Sequence, residues 1–243
     1  MSRFSVTVGT MMEGSKLPLS KWFTAMYLIT AHKKGISSCQ LARDLGIGQK
    51  AAWFVLHRVR AMLSQNGIVL DGRVEVDECY VGGKWANMSK KKRAIMAENR
   101  IDNKVPVMGL VEREGWAKMT IIGKYTFKEV VRQHVSTNAY INTDEHLGYW
   151  GLNQEFADHA MVNHGRGEYK VEDVHTNTVE GLFGLFKRMV FGIYHQVSPK
   201  HLQRYCDEMV YRYNSRKVKD VERFINTLKQ TEGRLTYKQL TGK

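Results

Sequence analysis

GRVEVDECYVGG, residues 72–83, alternates apolar and polar side chains and stops at paired glycines. That is the period of a half-buried β-strand closed by a turn. It also marks a change along the chain, because everything before it has helical spacing. Downstream, VPVMGLVERE (105–114) and WAKMTIIG (116–123) read as two more strands joined at Glu114–Gly115. FKEVVRQHV (127–135) reads as a helix and AYINTD (139–144) as a fourth strand. An irregular stretch then leads to a helix beginning near Thr178.

The order strand, strand, strand, helix, strand, helix is that of an RNase H-like α/β fold. The expected core is a mixed five-stranded sheet with flanking helices, spanning 71–196. Upstream, residues 17–66 read as three helices. LSKWFTAMYLITAHKKG carries Trp22, Met26 and Ile29 on one face and stops at Gly35. SSCQLARDLG follows, with Ser37 or Ser38 as cap and Gly46 as stop. QKAAWFVLHRVRAMLSQNG is the third. Two helices around a short GIG turn have helix-turn-helix spacing. The third helix, with Gln49, Lys50, His57, Arg58 and Arg60, suits DNA recognition, the alternative being a plain three-helix bundle with no ligand. Residues 197–243 form a C-terminal helical region, in which Leu202, Tyr205, Met209 and Tyr213 recur as a buried stripe.

Among the 243 residues, 37 Lys and Arg face 24 Asp and Glu, a net charge of +13. Such an excess points to an anionic partner, and nucleic acid is the first candidate. No long uncharged apolar run exists to span a bilayer, and the N-terminus has no apolar signal core. Cys39, Cys79 and Cys206 are too far apart for a Cys-x-x-Cys zinc site or a disulfide framework. They read as reduced thiols of a cytoplasmic protein. Residues 84–104 are dense in Lys and Arg, among them Lys91, Lys92 and Arg93. They read either as a solvated loop or as a loop that tracks phosphates.

The helix after the last strand is the second informative stretch. On a wheel of about 100° per residue, Leu182, Phe183, Leu185, Phe186, Met189 and Val190 share one arc. Glu180, Gly181, Gly184, Lys187 and Arg188 share the other. Each glycine costs about 1 kcal/mol of helix propensity relative to Ala. A solvated face does not need them, whereas a face approached closely by something large does. Phosphodiester chemistry commonly employs two divalent ions held by carboxylates from separate elements. Asp77 sits mid-strand, where Asp is disfavoured. Asp144 ends a strand, and Glu180 lies on the helix. Between Asp144 and Glu180 lie 35 residues.

That spacing resembles the Asp, Asp, 35, Glu signature of DDE transposases and retroviral integrases, in which a basic residue seven beyond the Glu contacts DNA. Here that position is Lys187. More specifically, VEVDECYVGGK, INTDEHLGYW, VHTNTVEGLFGLFKRMVFGIYHQVSPKHLQRYCDEMVYRYNSR and LARDLGIGQKAAWFVLHRVRAML look like the ISXO-type insertion-sequence transposases. The likeness runs from about Phe4 to Asn214. It implies that Asp77, Asp144 and Glu180 hold two Mg2+ or Mn2+ ions, cut DNA at element ends and transfer strands into target DNA. It also implies a homo-oligomer on DNA. Lys187, Arg188, Lys50, Arg58, Lys91, Lys92 and Arg93 would contact the DNA. Members of the family carry an N-terminal zinc ribbon with two Cys-x-x-Cys pairs. Residues 1–16 resemble only its end, as in a truncated copy or one begun at an internal Met.

Other groups have two readings. His175 and Asn177 either orient a water or ligand near Glu180 or serve the helix start, with Asn177 as N-cap. Glu75 shares a sheet face with Asp77, while Glu78 points to the other face. His159 and His164 read as surface histidines. A DNA-binding regulator, or a relic that keeps the fold without the chemistry, is the alternative function. An RNase H-like nuclease acting on another nucleic acid is a third.

Overall fold

Trp22, Met26 and Ile29 line one side of helix α1 (Leu19–Ala31) and pack against α2 (Ser38–Leu45) and α3 (Gln49–Met62). We describe residues 5–99, 102–123, 126–163, 165, 170–171 and 173–242 of a computed structural model. Ser37 caps α2 by accepting from the Gln40 backbone N–H at 3.1 Å. Gly46 ends it at φ 57°, a left-handed conformation that glycine adopts without strain. The core of this bundle is not self-contained. Phe224 and Leu228 from α8 (Asp220–Leu228) close it, so the C-terminal region folds back onto the N-terminal helices.

The sheet has the order β3-β2-β1-β4-β5. Its members are β1 (Arg73–Gly82), β2 (Lys104–Glu112), β3 (Ala117–Ile121), β4 (Tyr140–Thr143) and β5 (Asp158–Met161). β1 pairs antiparallel with β2 and parallel with β4. The parallel neighbour requires a crossover, which α5 (Phe127–His134) supplies. This mixed sheet, with helices on both faces, is the RNase H-like arrangement expected from the sequence. Val130 and Val131 of α5 cover one face, against Val74, Val76, Leu110 and Ile141. The other face carries Val107, Val111 and Met119 beneath α6 (Asn177–Met189) and α7 (Pro199–Asn214).

Gly109 sets how closely α6 approaches. It is the ladder partner of Asp77, and a Cβ there would come within 2.8 Å of the Phe183 ring. Only a bare backbone lets Phe183 and Val179 descend onto the sheet beside the strand that carries Asp77. α7 buries Leu202, Tyr205 and Met209 as its spacing predicts, with Tyr213 partly covered.

Three elements differ from the sequence reading. Residues 84–104, expected as a loop, contain a 3-10 turn (Trp85–Asn87) and α4 (Lys90–Glu98), capped by Ser89. α4 buries no residue, so no apolar stripe announced it. β5, four residues of mixed polarity, is the fifth strand of the expected sheet, which the sequence pattern does not locate. A π-helical turn, Val190–Tyr194, continues α6. The third helix of the bundle also needs correction. His57, Arg58 and Arg60 were expected to face DNA, yet all three are buried. α3 packs its second half against α7, leaving Gln49, Lys50 and Ala51 of its first turn open. A final short helix, α9 (Tyr237–Thr241), is capped by Thr236.

Candidate metal centre

The parallel pairing of β1 and β4 brings the two aspartates together. Its last registered pair is Glu75 with Asn142, so Asp77 and Asp144 both lie two residues further along. Carboxylate oxygens of Asp77, Glu78 and Asp144 lie within 4.8 Å of one another. Glu78 is the member that sequence reasoning set aside. It follows Asp77 and so takes the other face, but near the end of the ladder with β4 its carboxylate still reaches the cluster. Tyr149, fully buried after β4, donates its hydroxyl to Glu78 Oε2 at 2.9 Å and holds it there. No periodicity signals that contact.

Glu75 ties α6 to the sheet. Fully buried on β1, it accepts from the backbone N–H groups of Thr178 (2.7 Å) and Val179 (3.1 Å) and from the Thr178 hydroxyl (2.9 Å). A carboxylate on the first N–H groups of a helix satisfies orphan donors and complements the dipole. Arg113 Nε donates to Glu75 Oε1 at 2.7 Å, and His175 Nδ1 lies 3.1 Å from the same oxygen. Arg113 and Arg73 also grip Asp173, fixing the segment that enters α6. His175 therefore lies against Glu75 at the entry to α6. The N-cap is Thr176, one residue earlier than expected, and Asn177 is the first helical residue.

Glu180 sits on the first turn of α6, exposed, and its Oε1 accepts from the Thr176 hydroxyl at 3.0 Å. In this rotamer it lies outside the three-carboxylate group but close enough to act electrostatically on Asp77. Lys187 and Arg188 are exposed further along the same helix. A Cβ on Gly181 would meet nothing within 4 Å, and one on Gly184 only the tip of Arg188 at 3.9 Å. Packing does not require either glycine. Leu185, placed on the apolar arc, is 42% exposed instead.

Burial pushes the Asp77 carboxyl up to about 7, with Glu78, Asp144 and Glu180 adding negative charge around it. Its own bond from the Glu78 N–H opposes this. Burial also raises Glu78, which the bond from Tyr149 partly offsets. Hard carboxylate oxygens gathered in this way suit a hard divalent cation. The consequence for stability has a definite sign. The folded state favours the protonated Asp77, so stability falls as pH rises from the unfolded value of 3.8 through about 7. A shift of that size corresponds to at most about 4 kcal/mol. Above that range Asp77→Asn is expected to melt higher than the metal-free wild type in calorimetry. Added Mg2+ should raise the wild type and leave the variant nearly unmoved.

The remaining expected DNA contacts separate into two groups. Lys91 and Lys92 are exposed on α4, with Arg93 partly so, and Lys50 is exposed on α3 with its Nζ 5.0 Å from the Tyr237 ring centre. Arg58 is not available. Its Nε donates to the Leu235 carbonyl at 2.8 Å and its guanidinium lies 4.5 Å from the Phe54 ring centre. His159, on β5, is half-buried and its ring bonds Thr143 Oγ1 of β4 at 2.8 Å, so it is not a surface histidine. His164 lies outside the described residues. Among the described residues, no helix is long and apolar enough to cross a membrane.

Comparison with known proteins bears on the same region. The chain resembles one in the cryo-EM structure of the simian T-cell lymphotropic virus intasome in complex with PP2A regulatory subunit B56 gamma. That match has a TM-score of 0.30 and 14% identity, covering 76% of this chain and 60% of the other. It is 30% identical over 199 residues to the "Uncharacterized protein in transposable element ISH50" of Halobacterium salinarum, covering 76% of this chain and 66% of that one. The ISXO2-like transposase domain family matches residues 69–214, from just before β1 to the end of α7. The matched segment is the one that builds the sheet, seats α6 on Gly109 and gathers Asp77, Glu78 and Asp144, and by that match the chain belongs to the ISXO2-like transposase family.

Proposed function

We propose that the protein is a DDE transposase of an insertion sequence, cutting DNA at the element ends and joining the freed 3′ end to target DNA. The observation that carries this reading is the meeting of Asp77, Glu78 and Asp144 within 4.8 Å at the sheet end beside α6. Bound Mg2+ or Mn2+, two ions in this reading, would polarise the scissile phosphate and activate the attacking hydroxyl. Asp77 and Asp144 would hold those ions, with Glu180 completing the set by turning away from Thr176. Glu78, fixed by Tyr149, would stand beside Asp77 and Asp144 as a further oxygen donor. Glu75 positions this machinery by binding the start of α6 to β1.

Lys187 and Arg188 would hold the DNA backbone along α6, with Gly181 and Gly184 clearing its approach. Phosphate contacts of this kind fix register without reading sequence. Lys91, Lys92 and Arg93 on α4 and Lys50 on α3 would add further backbone contacts, with copies of the chain assembling on the DNA. Because a Cβ at position 184 would meet only the flexible tip of Arg188, at 3.9 Å, Gly184→Leu should fold and melt at or above the wild-type temperature. The same variant should lose element-end binding in a gel shift. A variant that fails to fold would return this glycine to a packing role, and one that binds normally would remove DNA from α6. The reading as a whole is tested by Mg2+-dependent nicking and strand transfer on element-end DNA. Binding without cleavage in any divalent metal would instead leave a DNA-binding relic.

A further inference from the structure

The buried charges between α3 and α7 do not balance. Glu208 lies between Arg60, whose Nε is 2.6 Å from Oε2, and Arg212, whose Nη2 is 2.5 Å from Oε1. Tyr194 also donates its hydroxyl to Oε1 at 2.6 Å. Two guanidiniums therefore share one carboxylate, and all three groups are buried. Arg212 spends its other donors on the carbonyls of Ile29 and His32. Arg60 does not: its guanidinium lies 4.1 Å from the Tyr205 ring centre and 4.9 Å from that of Tyr194, and its buried Nη1 has no hydrogen-bond partner among the described residues. A buried guanidinium nitrogen left unpaired is costly, and each such group calls for an explanation.

Arg60 lines a cavity of about 260 Å³. Ser37, Ser38 and Cys39 at the start of α2 form another wall, with Trp53 and Tyr205 alongside. The first N–H groups of an α-helix lack intrahelical acceptors and carry the positive end of the dipole. Arg204 and His201 add positive charge or potential nearby, and together with Arg60 and burial they hold His57 neutral. An excess guanidinium donor and a helix N-terminus facing one cavity are the two elements that recognise a phosphate.

We propose that this cavity binds a phosphate group through the Arg60 guanidinium and the first turn of α2. It lies between the helix-turn-helix and α7, away from the carboxylates, and does not depend on their chemistry. The phosphate could belong to the DNA backbone or to a free phosphate species. In either case it would complete the Arg60–Glu208–Arg212 cluster that joins the two regions.

Cys39 gives a direct probe, because it lines the cavity and is exposed while Cys79 and Cys206 are buried. Its reaction with Ellman's reagent is followed in the full chain while inorganic phosphate replaces chloride at constant ionic strength. A second arm uses a short DNA duplex in place of phosphate. At ten times the dissociation constant, the reaction should slow about tenfold. Protection by phosphate assigns a free-phosphate site, and protection by the duplex alone assigns the DNA backbone. Arg60→Gln should lose the protection. Because that change leaves Glu208 short of a partner, Ser38→Asp serves as the second variant: it puts a carboxylate on the α2 wall of the cavity, in place of the hydroxyl that accepts from Gln49 Nε2 at 2.8 Å, and leaves the Glu208 cluster intact. The proposal is overturned if neither ligand protects the wild type, or if protection persists in a folded Ser38→Asp or Arg60→Gln.

Discussion

Asp144→Asn is expected to fold, to bind element-end DNA and to lose Mg2+-dependent cleavage and strand transfer by about 10³-fold or more. That loss corresponds to about 4 kcal/mol of transition-state stabilisation, the scale of a metal's Lewis-acid contribution. The side chain follows β4, is only partly buried, and accepts from the His146 N–H at 3.0 Å. An amide oxygen keeps that bond, so the fold should survive while a charged ligand is lost. Asp77→Asn and Glu180→Gln should fall as far. Glu78→Gln should cost less, about tenfold, the effect of disturbing a group that supports the ligands. Product release on a sequencing gel measures all four. Cleavage by Asp144→Asn at the wild-type rate would remove this site from the chemistry.

Glu75→Ala is the variant expected to cost most stability. It strips acceptors from two backbone N–H groups and a hydroxyl at the start of α6, and leaves Arg113 with only the exposed Asp173 as a carboxylate partner. Breaking a buried ion pair costs about 3–5 kcal/mol, and losing a helix cap about 1 kcal/mol within that total. For a chain of this size about 4 kcal/mol lowers Tm by roughly 10 °C. Glu75→Gln keeps an acceptor oxygen and should lose about half as much. Denaturant unfolding of the three proteins decides it. An unchanged midpoint in Glu75→Ala would mean that α6 is held by apolar packing alone.

The sheet was legible because β1 and β3 alternate in sequence while β2 is a short apolar run ended by a turn, the pattern of a strand covered on both faces. Asp77 stood out for being an Asp inside such a strand, and Asp144 for ending one. Glu78 was not legible as part of the site. Its contact depends on the hydroxyl of Tyr149, which the chain brings back 71 residues later. Glu75 was seen on the face of Asp77 but not as a helix cap, since its partners lie more than 100 residues away. β5 and α4 escaped for opposite reasons: β5 has four residues and no alternation, and α4 has no buried face. Arg58 and Arg60 show the limit of reading charge as exposure. Aromatic rings, the Leu235 carbonyl and Glu208 accommodate them inside the molecule.

The most direct test is a crystal structure of the protein with an element-end duplex and Mn2+, using anomalous scattering to locate the metal. Manganese is expected between Asp77 and Asp144, with Glu180 turned from Thr176 toward it and the scissile phosphate against the ion. Duplex bound with no manganese at these carboxylates, or manganese there with the duplex far from α6, would contradict it.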